Sequence, residues 1–319
     1  MTEFDPWQHL RARACPVCGS SAPATARFAE RRGTLRASSY ASRKTPERIH
    51  LRMVVCPVCD LLYAPAAPPA QFLAQAYERA DYGSDGEARH AAASYARAIA
   101  ARLEGLPRPL RALEIGTGNG ALLELLSALG FEEVLGFEPS AAAAACASPE
   151  VRSRIRVEPF DASRAAAVLP PGHFSIVIAN QTLEHVESPA TLLAAARALL
   201  APGGALMGVS HDYRHLLMRL LGARAPIIDL EHLQVFSRAS LGRALRTAGF
   251  ERITLGPFTN RYPVHYWMRL APLPAGLHAC LQDWLRPQSQ TGGLGPWLGR
   301  QMLAARVGNL LAWAHRPQF

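Results

Sequence analysis

Lysine is all but missing from this sequence. Lys44 is the only one, so the 34 basic residues, set against 25 acidic ones for a net charge of +9, are arginine almost throughout. The arginines are scattered, with nothing denser than Arg31-Arg32 and the Arg11/Arg13 pair. A basic balance can serve nucleic acid or an anionic surface, but charge without a block reads as solvated surface, and a nucleic-acid partner is not expected. Long apolar runs are lacking as well. No stretch of roughly 18 apolar residues escapes a charge or a Pro/Gly break, so no transmembrane segment is expected. Met1 to Ala14 contains no apolar signal region, which makes the cytoplasm the expected location. There is no internal repeat, and nothing in the pattern speaks to oligomeric state. Cysteine is sparse, at six. Cys146 and Cys280 stand alone and read as packing residues of a reducing compartment. With hydrophobic residues at 49% and charged ones at 18%, what remains is a folded chain long enough for one large core or two smaller ones.

The stretch that organises the chain is Leu113-Glu114-Ile115-Gly116-Thr117-Gly118-Asn119-Gly120. A short apolar run ends in three alternate glycines, and an apolar helical pattern (Leu122, Leu123, Leu126) follows at once. Strand, tight turn and helix place backbone N–H groups of the helix start against a ligand, and glycine serves where the backbone must bend with φ > 0 or approach closely. Val134 to Phe137 reads as a second strand ending in Glu138, where nucleoside-binding sheets place a carboxylate for ribose hydroxyls. From residue 110 strands and helices alternate. Strands are expected at 110–115, 133–138, 154–158, 174–179, 204–210, 251–257 and about 309–315, and helices at 119–130, 140–147, 163–168, 189–200 and 237–249. Such alternation predicts a doubly wound, mainly parallel α/β sheet.

Ahead of this lie two matching knuckles, Cys15-Pro16-Val17-Cys18 and Cys56-Pro57-Val58-Cys59. Four thiolates suit tetrahedral Zn²⁺ and leave no open position, so the site is expected to be a structural zinc ribbon over 1–65, with short strands near 27–28, 34–35 and 49–55. Pro65 to Pro69 reads as a stiff linker. Residues 66–109 are expected to form linker and helical lid, with helices at 70–80 and 87–105 and an aromatic turn between them that serves either as ordinary packing or as a lid offering Tyr77 or Tyr82 to a pocket. The third region is 110–319, in which 211–236 is a candidate substrate cover and 260–307 a helical insert before the last strand.

Further polar residues end the strands. Asp161, just past the third strand, can accept from an exocyclic adenine amine, and Asn180-Gln181 end the fourth. These positions share the carboxyl edge of the sheet, where open α/β sheets bind ligands. The alternative for each is a solvated loop residue or a helix N-cap.

Taken in order, Glu114-x-Gly116-x-Gly118-x-Gly120, Phe137-Glu138-Pro139, Phe160-Asp161-Ala162, Leu183-Glu184-His185-Val186 and Leu200-x-Pro202-Gly203-Gly204 resemble the motif series of class I S-adenosylmethionine-dependent methyltransferases. The resemblance covers about 110–257. It implies a seven-stranded Rossmann-like methyltransferase sheet and S-adenosylmethionine as cofactor, held by Glu114, Gly116, Gly118, Gly120, Glu138, Asp161, Asn180 and Gln181, with Tyr82 from the preceding turn. A nicotinamide enzyme would carry Gly-x-Gly-x-x-Gly, which this loop does not. The core is also similar to the ubiquinone-type O-methyltransferases, although Gln181 stands where that group has Glu. Two knuckles, an aromatic turn, this core and Glu231-His232-Leu233-Gln234-Val235-Phe236-Ser237 resemble sugar C-methyltransferases with an N-terminal zinc domain. That resemblance implies site roles for His185, Glu231 and His232. Asp229 stands where that family has Tyr, and its large sugar-binding C-terminal region has no counterpart here.

The expected reaction is in-line methyl transfer to a small-molecule acceptor (a sugar, lipid precursor or secondary metabolite). A base near neutral pKa removes the acceptor's proton. His232, tuned by Glu231, is the first candidate and His185 the second, with His211 and Asp212 also expected near the pocket. The alternatives are a zinc-ribbon RNA methyltransferase and a non-catalytic cofactor-binding scaffold.

Overall fold

The computed structural model describes residues 5–41, 47–271, 273, 275–285 and 293–318. Parts of the expected ribbon (1–4, 42–46) and of the expected insert (272, 274, 286–292) lie outside the described residues. The N-terminal segment is built from very short strands: β1 (Arg11–Ala12), β2 (Thr25–Phe28), β3 (Met53–Val55), β4 (Leu62–Tyr63) and β5 (Ala66–Ala67). β2, β3 and β4 pair antiparallel in that order. The extended pair expected at 34–35 forms no strand. The expected stiff linker is not a linker throughout, because β5 pairs with β1 through Arg11↔Ala67 and Ala12↔Ala66. The prolines at 65 and 68 bracket the pair, so both alanine N–H groups stay available for the ladder.

Two helices follow, α1 (Ala70–Glu78) and α2 (Asp85–Ala100), the latter burying Ala88, Ala91, Ala92, Tyr95 and Ile99 along one face. Then comes the alternation: β6 (Arg111–Ile115), α3 (Ala121–Ala128), β7 (Glu133–Phe137), α4 (Ala141–Ala145), α5 (Pro149–Arg152), β8 (Ile155–Arg156), α6 (Ala165–Val168), β9 (Phe174–Ile178), α7 (Pro189–Leu199) and β10 (Leu200–His211). The remainder is α8 (Leu216–Leu221), β11 (Gln234–Val235), α9 (Arg238–Thr247), β12 (Glu251–Pro257), β13 (Asn260–Pro263), α10 (Val264–Leu270), α11 (Ala275–Leu285), α12 (Leu294–Arg300), β14 (Met302–Ala305) and β15 (Asn309–His315). No helix among the described residues is long and apolar enough to cross a membrane.

The main sheet has seven strands in the order β12-β15-β10-β9-β6-β7-β8. It is parallel except for β15, which runs antiparallel to both neighbours. This is the doubly wound sheet the alternation predicts. Side chains alternate across it, as period-2 geometry requires. Leu113, Val177 and Leu206 pack on the side of α7 and α9, and Ala112, Ile176 and Met207 on the side of α2 and α3. Both faces are covered, so β9 is buried at every position.

Some expected elements are shorter. The strand at 154–158 narrows to β8, a sheet edge where Val157 is already 51% exposed. The helices at 140–147 and 163–168 narrow to α4 and α6. The expected strand at 204–210 begins at Leu200 and is interrupted by a register shift between Leu200 and Ala205, across Pro202-Gly203-Gly204. The insert is not helical throughout. Its helices α10 to α12 rise from an antiparallel ladder of β13 and β14, with Asn260↔Ala305 to Pro263↔Met302 in register.

The N-terminal sheet does not end with its own strands. Its order is β11-β4-β3-β2, so its fourth strand comes from the segment between α8 and α9.

Candidate active site

At the carboxyl end of β6 the chain turns through Gly116, Gly118 and Gly120, at φ +80°, +59° and +71°. The N–H groups of Gly116 and Thr117 both donate to the Phe137 carbonyl, at 2.9 and 3.0 Å, tying the loop to β7. A Cβ at Gly118 would meet nothing within 4 Å, so this position needs glycine for its backbone conformation and presents bare backbone to the cavity. A Cβ at Gly120 would lie 2.7 Å from Val151 Cγ1, so Gly120 is fixed by packing behind the loop. Glu114 also works from behind. It is buried, it accepts from Thr117 Oγ1 at 2.6 Å, and it is not among the residues lining the cavity.

That cavity, about 1020 Å³, opens along the carboxyl ends of β6, β7, β9 and β10. Glu138 sits at its floor, accepting from Gly118 N–H at 2.7 Å and Ser140 N–H at 2.9 Å. Asp161 lines the outer wall. Its carboxylate accepts from the Ser163 hydroxyl (2.6 Å) and N–H (3.0 Å), and these bonds hold it below the usual carboxylate range. Asn180 is buried on the cavity wall, and its amide nitrogen and oxygen have no hydrogen-bond partner among the described residues. Gln181 follows at φ +54°, with its N–H on the Val209 carbonyl at 2.7 Å. Tyr82, from the turn before α2, lines the same space.

Farther along the cavity three histidine rings follow one another, the first pair tilted at 53° and the second edge-on at 75°. His185 and His232 centroids are 4.7 Å apart, and those of His232 and His211 5.2 Å. His232 Nδ1 is 3.0 Å from the Ile227 carbonyl. A carbonyl only accepts, so this nitrogen carries the proton and Nε2 is the basic one in the neutral ring. His185 Nδ1 faces Tyr77 Oη at 2.9 Å and the Glu231 carboxylate at 3.9 Å. Glu231, expected behind His232, thus stands close to His185. Desolvation pushes the half-buried Tyr77 phenol well above its ordinary value and keeps it neutral. His211 Nδ1 is 2.8 Å from Asn309 Oδ1, and burial pushes the ring down to about 4. Its backbone N–H donates to Glu184 at 2.6 Å, whose carboxyl burial raises to about 7. Asp212, expected nearby, does not line the cavity; its carboxylate accepts the Arg214 N–H at 2.9 Å.

A family model described as a methyltransferase domain matches residues 88–255. The chain belongs to this methyltransferase-domain family. Fold and motif order make it of the class I S-adenosylmethionine-dependent kind. Among curated proteins it is similar to the ubiquinone biosynthesis O-methyltransferase of Burkholderia multivorans, 32% identical over 45% of this chain and 63% of that protein. The protein of the same name from Paraburkholderia xenovorans is 29% identical over 47% of this chain and 70% of its own length. The chain therefore spans less than two thirds of the first of these relatives. Among solved structures, a SAM dependent methyltransferase from Archaeoglobus fulgidus superposes with a TM-score of 0.46 at 16% identity, covering 70% of this chain and 94% of that one.

The methyltransferase carries its four knuckle cysteines together. Cys15 and Cys59 sulfurs are 3.5 Å apart, those of Cys18 and Cys56 3.6 Å, and all four lie within 4.8 Å of one another. Sulfurs on a tetrahedral zinc sit about 3.8 Å apart, so the set fits that ion. The two knuckles share one geometry. Gly19 N–H and Asp60 N–H return to the Cys15 and Cys56 carbonyls, and both residues have positive φ, +68° and +61°.

The site also contains residues that motif reading did not single out. Tyr40 comes from the long spacer between the knuckles and meets Tyr77 edge-on at 5.7 Å. Asn309 comes from the start of β15, and Asn260 from β13. None has a local sequence signal, because each arrives by long-range packing.

Proposed function

We propose that this chain transfers the methyl group of S-adenosylmethionine to a small-molecule acceptor whose proton is taken by a histidine. The observation that carries the reading is one continuous cavity of about 1020 Å³ reaching from Gly116 and Gly118 to His185, His211 and His232. Pockets for a single drug-sized ligand run from about 300 to 1,000 Å³, so a cavity at the top of that range suits a nucleoside cofactor with an acceptor beside it.

The residues present fit that cofactor. Glu138 would hold the ribose hydroxyls and Asp161 the exocyclic amine. The buried, unpartnered amide of Asn180 joins Gln181 and the open backbone of Gly116 and Gly118 in meeting the other polar atoms. Tyr82 lines the same space, while Glu114 and Gly120 shape the loop from behind. The bound sulfonium supplies an electrophilic methyl that needs no further activation. The protein's part is alignment and proton removal. His232, fixed by the Ile227 carbonyl, presents Nε2 as the base. His185, between Tyr77 and Glu231, is the group that orients the acceptor or shares its proton. His211, with its pKa near 4, stays neutral and cannot serve as the proton store.

The acceptor half of the cavity is walled by Leu217, Met218 and Leu221 of α8 and by Tyr266, Trp267 and Leu270 of α10. Such walls favour an acceptor with an apolar portion over an unadorned sugar. The ribbon is assigned a structural zinc. Its second knuckle is already engaged, with Asp60 accepting from Tyr213 Oη at 2.6 Å and from Arg214, and its carbonyl accepting from Ser237 Oγ at 2.9 Å. An RNA-gripping ribbon would leave that face open, so the small-molecule reading is preferred.

The test is calorimetric titration with S-adenosylhomocysteine, followed by transfer of labelled methyl to a panel of alkyl phenols, sugar nucleotides and total RNA. Binding of the cofactor product and labelling of a small molecule are expected. Absence of binding, or label in RNA only, refutes the proposal.

A further inference from the structure

The methyltransferase sheet is complete without the N-terminal ribbon, yet the two histidine loops are hung from it. Four sets of contacts do this. β11, which begins two residues after His232, is the ribbon sheet's edge strand and pairs Gln234↔Tyr63 and Val235↔Leu62 with β4. Gln234 is fully buried, and its amide donates to the Leu183 carbonyl at 2.6 Å and the Val186 carbonyl at 2.8 Å, on either side of His185. Arg13, two residues before the first knuckle cysteine, spreads its guanidinium over three carbonyls: Nε to Ala64 (2.9 Å), Nη1 to Glu187 (3.1 Å) and Nη2 to Leu233 (2.7 Å). Leu233 N–H donates to the Glu184 carbonyl, and the Leu233 carbonyl accepts from Ala64 N–H, both at 2.9 Å. Glu184 and Glu187 flank His185, and Leu233 adjoins His232, so the bonds to Leu183, Glu184, Val186, Glu187 and Leu233 all act within two residues of an imidazole.

The cofactor half is held differently. The glycine loop hangs from Phe137 and Glu138 of the main sheet, and from Glu114 through Thr117.

We propose that Arg13 and Gln234 are positioning residues that set the His185–His232 pair, and that the metal-filled ribbon is the frame from which they do it. The proposal rests on the reading of that pair as the acceptor site. A planar guanidinium reaches three separate carbonyls from three different nitrogens in fixed directions, whereas lysine's donors all sit on one nitrogen. Both histidines lie on irregular backbone rather than on a regular element, so their spacing of 4.7 Å has to be imposed from outside. Withdrawal of the metal would release the knuckles, then β4 and β11, and then the registration of the two loops.

The test uses the full chain with ¹³C-labelled histidine. Arg13→Lys and Gln234→Leu are compared with the original for zinc content, S-adenosylhomocysteine affinity and imidazole resonances. Expected are about one zinc per chain, cofactor-product affinity within about twofold, the tolerance of independent sites, and His185 and His232 cross-peaks displaced by more than a linewidth. His173, paired with Glu133 at the opposite end of β9, should stay in place. Unmoved His185 and His232 peaks overturn the proposal, as does displacement of His173 along with them. Stripping zinc from the unsubstituted chain with a chelator reads the same pair without any substitution. Preserved His185 and His232 resonances overturn the role of the ribbon, and loss of cofactor-product affinity overturns its restriction to the acceptor half. A metal-replete original that binds no S-adenosylhomocysteine refutes the functional reading instead, so the two failures are distinct.

Discussion

Replacing Glu184 with glutamine should stabilise this protein above neutral pH. Glu184 is fully buried one residue before His185, and its carboxylate accepts the His211 N–H at 2.6 Å. Desolvation by burial is the largest influence and raises its pKa from 4.5 to about 7. The folded state therefore binds this proton more tightly than the unfolded chain does. That preference contributes stability in full below about pH 4.5 and is lost as pH rises through about 7. The loss is roughly 3 kcal/mol, at about 1.4 kcal/mol per pH unit between the two pKa values. Glutamine keeps an oxygen for the His211 N–H and carries no charge at any pH. The assay is urea unfolding of both proteins, metal-replete, from pH 5 to pH 8. Cysteine ligands and surface carboxylates titrate alike in the two, so the difference between them isolates Glu184. The pair should be close at pH 5, with the variant ahead by up to roughly 3 kcal/mol at pH 8, a midpoint shift on the order of 1 M urea. A difference that stays constant across this range, or a variant less stable at pH 8, refutes the assignment of a buried, reluctant carboxylate.

Other perturbations separate the two halves of the cavity. His232→Ala should lower kcat by about 10²- to 10⁴-fold and leave S-adenosylhomocysteine affinity unchanged; an equal loss of that affinity would count against the base. Glu138→Gln weakens charge-assisted bonds worth about 1.5–3 kcal/mol, so the same affinity should fall by about 10- to 100-fold, and an unaltered Kd would remove Glu138 from the cofactor site. Gly120→Ala forces a Cβ to within 2.7 Å of Val151 Cγ1 at φ +71°. The expected cost is about 2–5 kcal/mol, from left-handed strain plus overpacking, read as a lower Tm. Gly118→Ala meets no atom within 4 Å, so it should cost only the strain, about 1–2 kcal/mol, and act mainly on cofactor-product binding. Equal thermal effects of the two alanines would refute the separate roles assigned to those glycines.

What the sequence by itself determined follows from local requirements. Alternate glycines at a strand end permit the positive φ of a tight turn, and 116, 118 and 120 all have it. Apolar runs alternating with helical periods require a covered parallel sheet, and the observed order is a doubly wound one. Two identical Cys-Pro-Val-Cys turns require four sulfurs at one point, and they converge within 4.8 Å. Tertiary structure alone decided the rest. Motif spacing places Glu114 beside the glycines, but the pleat and the turn send it behind the loop to Thr117. Adjacency in sequence couples Glu231 to His232, yet the fold sets its carboxylate 3.9 Å from His185. β5 and β11 are two residues long, too short to show any period, and exist only because distant partners supply their ladders. The same holds for Arg13, an unremarkable basic residue in sequence that becomes a three-carbonyl clamp once the ribbon and the two histidine loops are brought together. Backbone conformation and periodicity are properties of neighbouring residues and can be read along the chain. The pairing of carbonyls and imidazoles across the ribbon boundary belongs to the packed core, and only folding sets it.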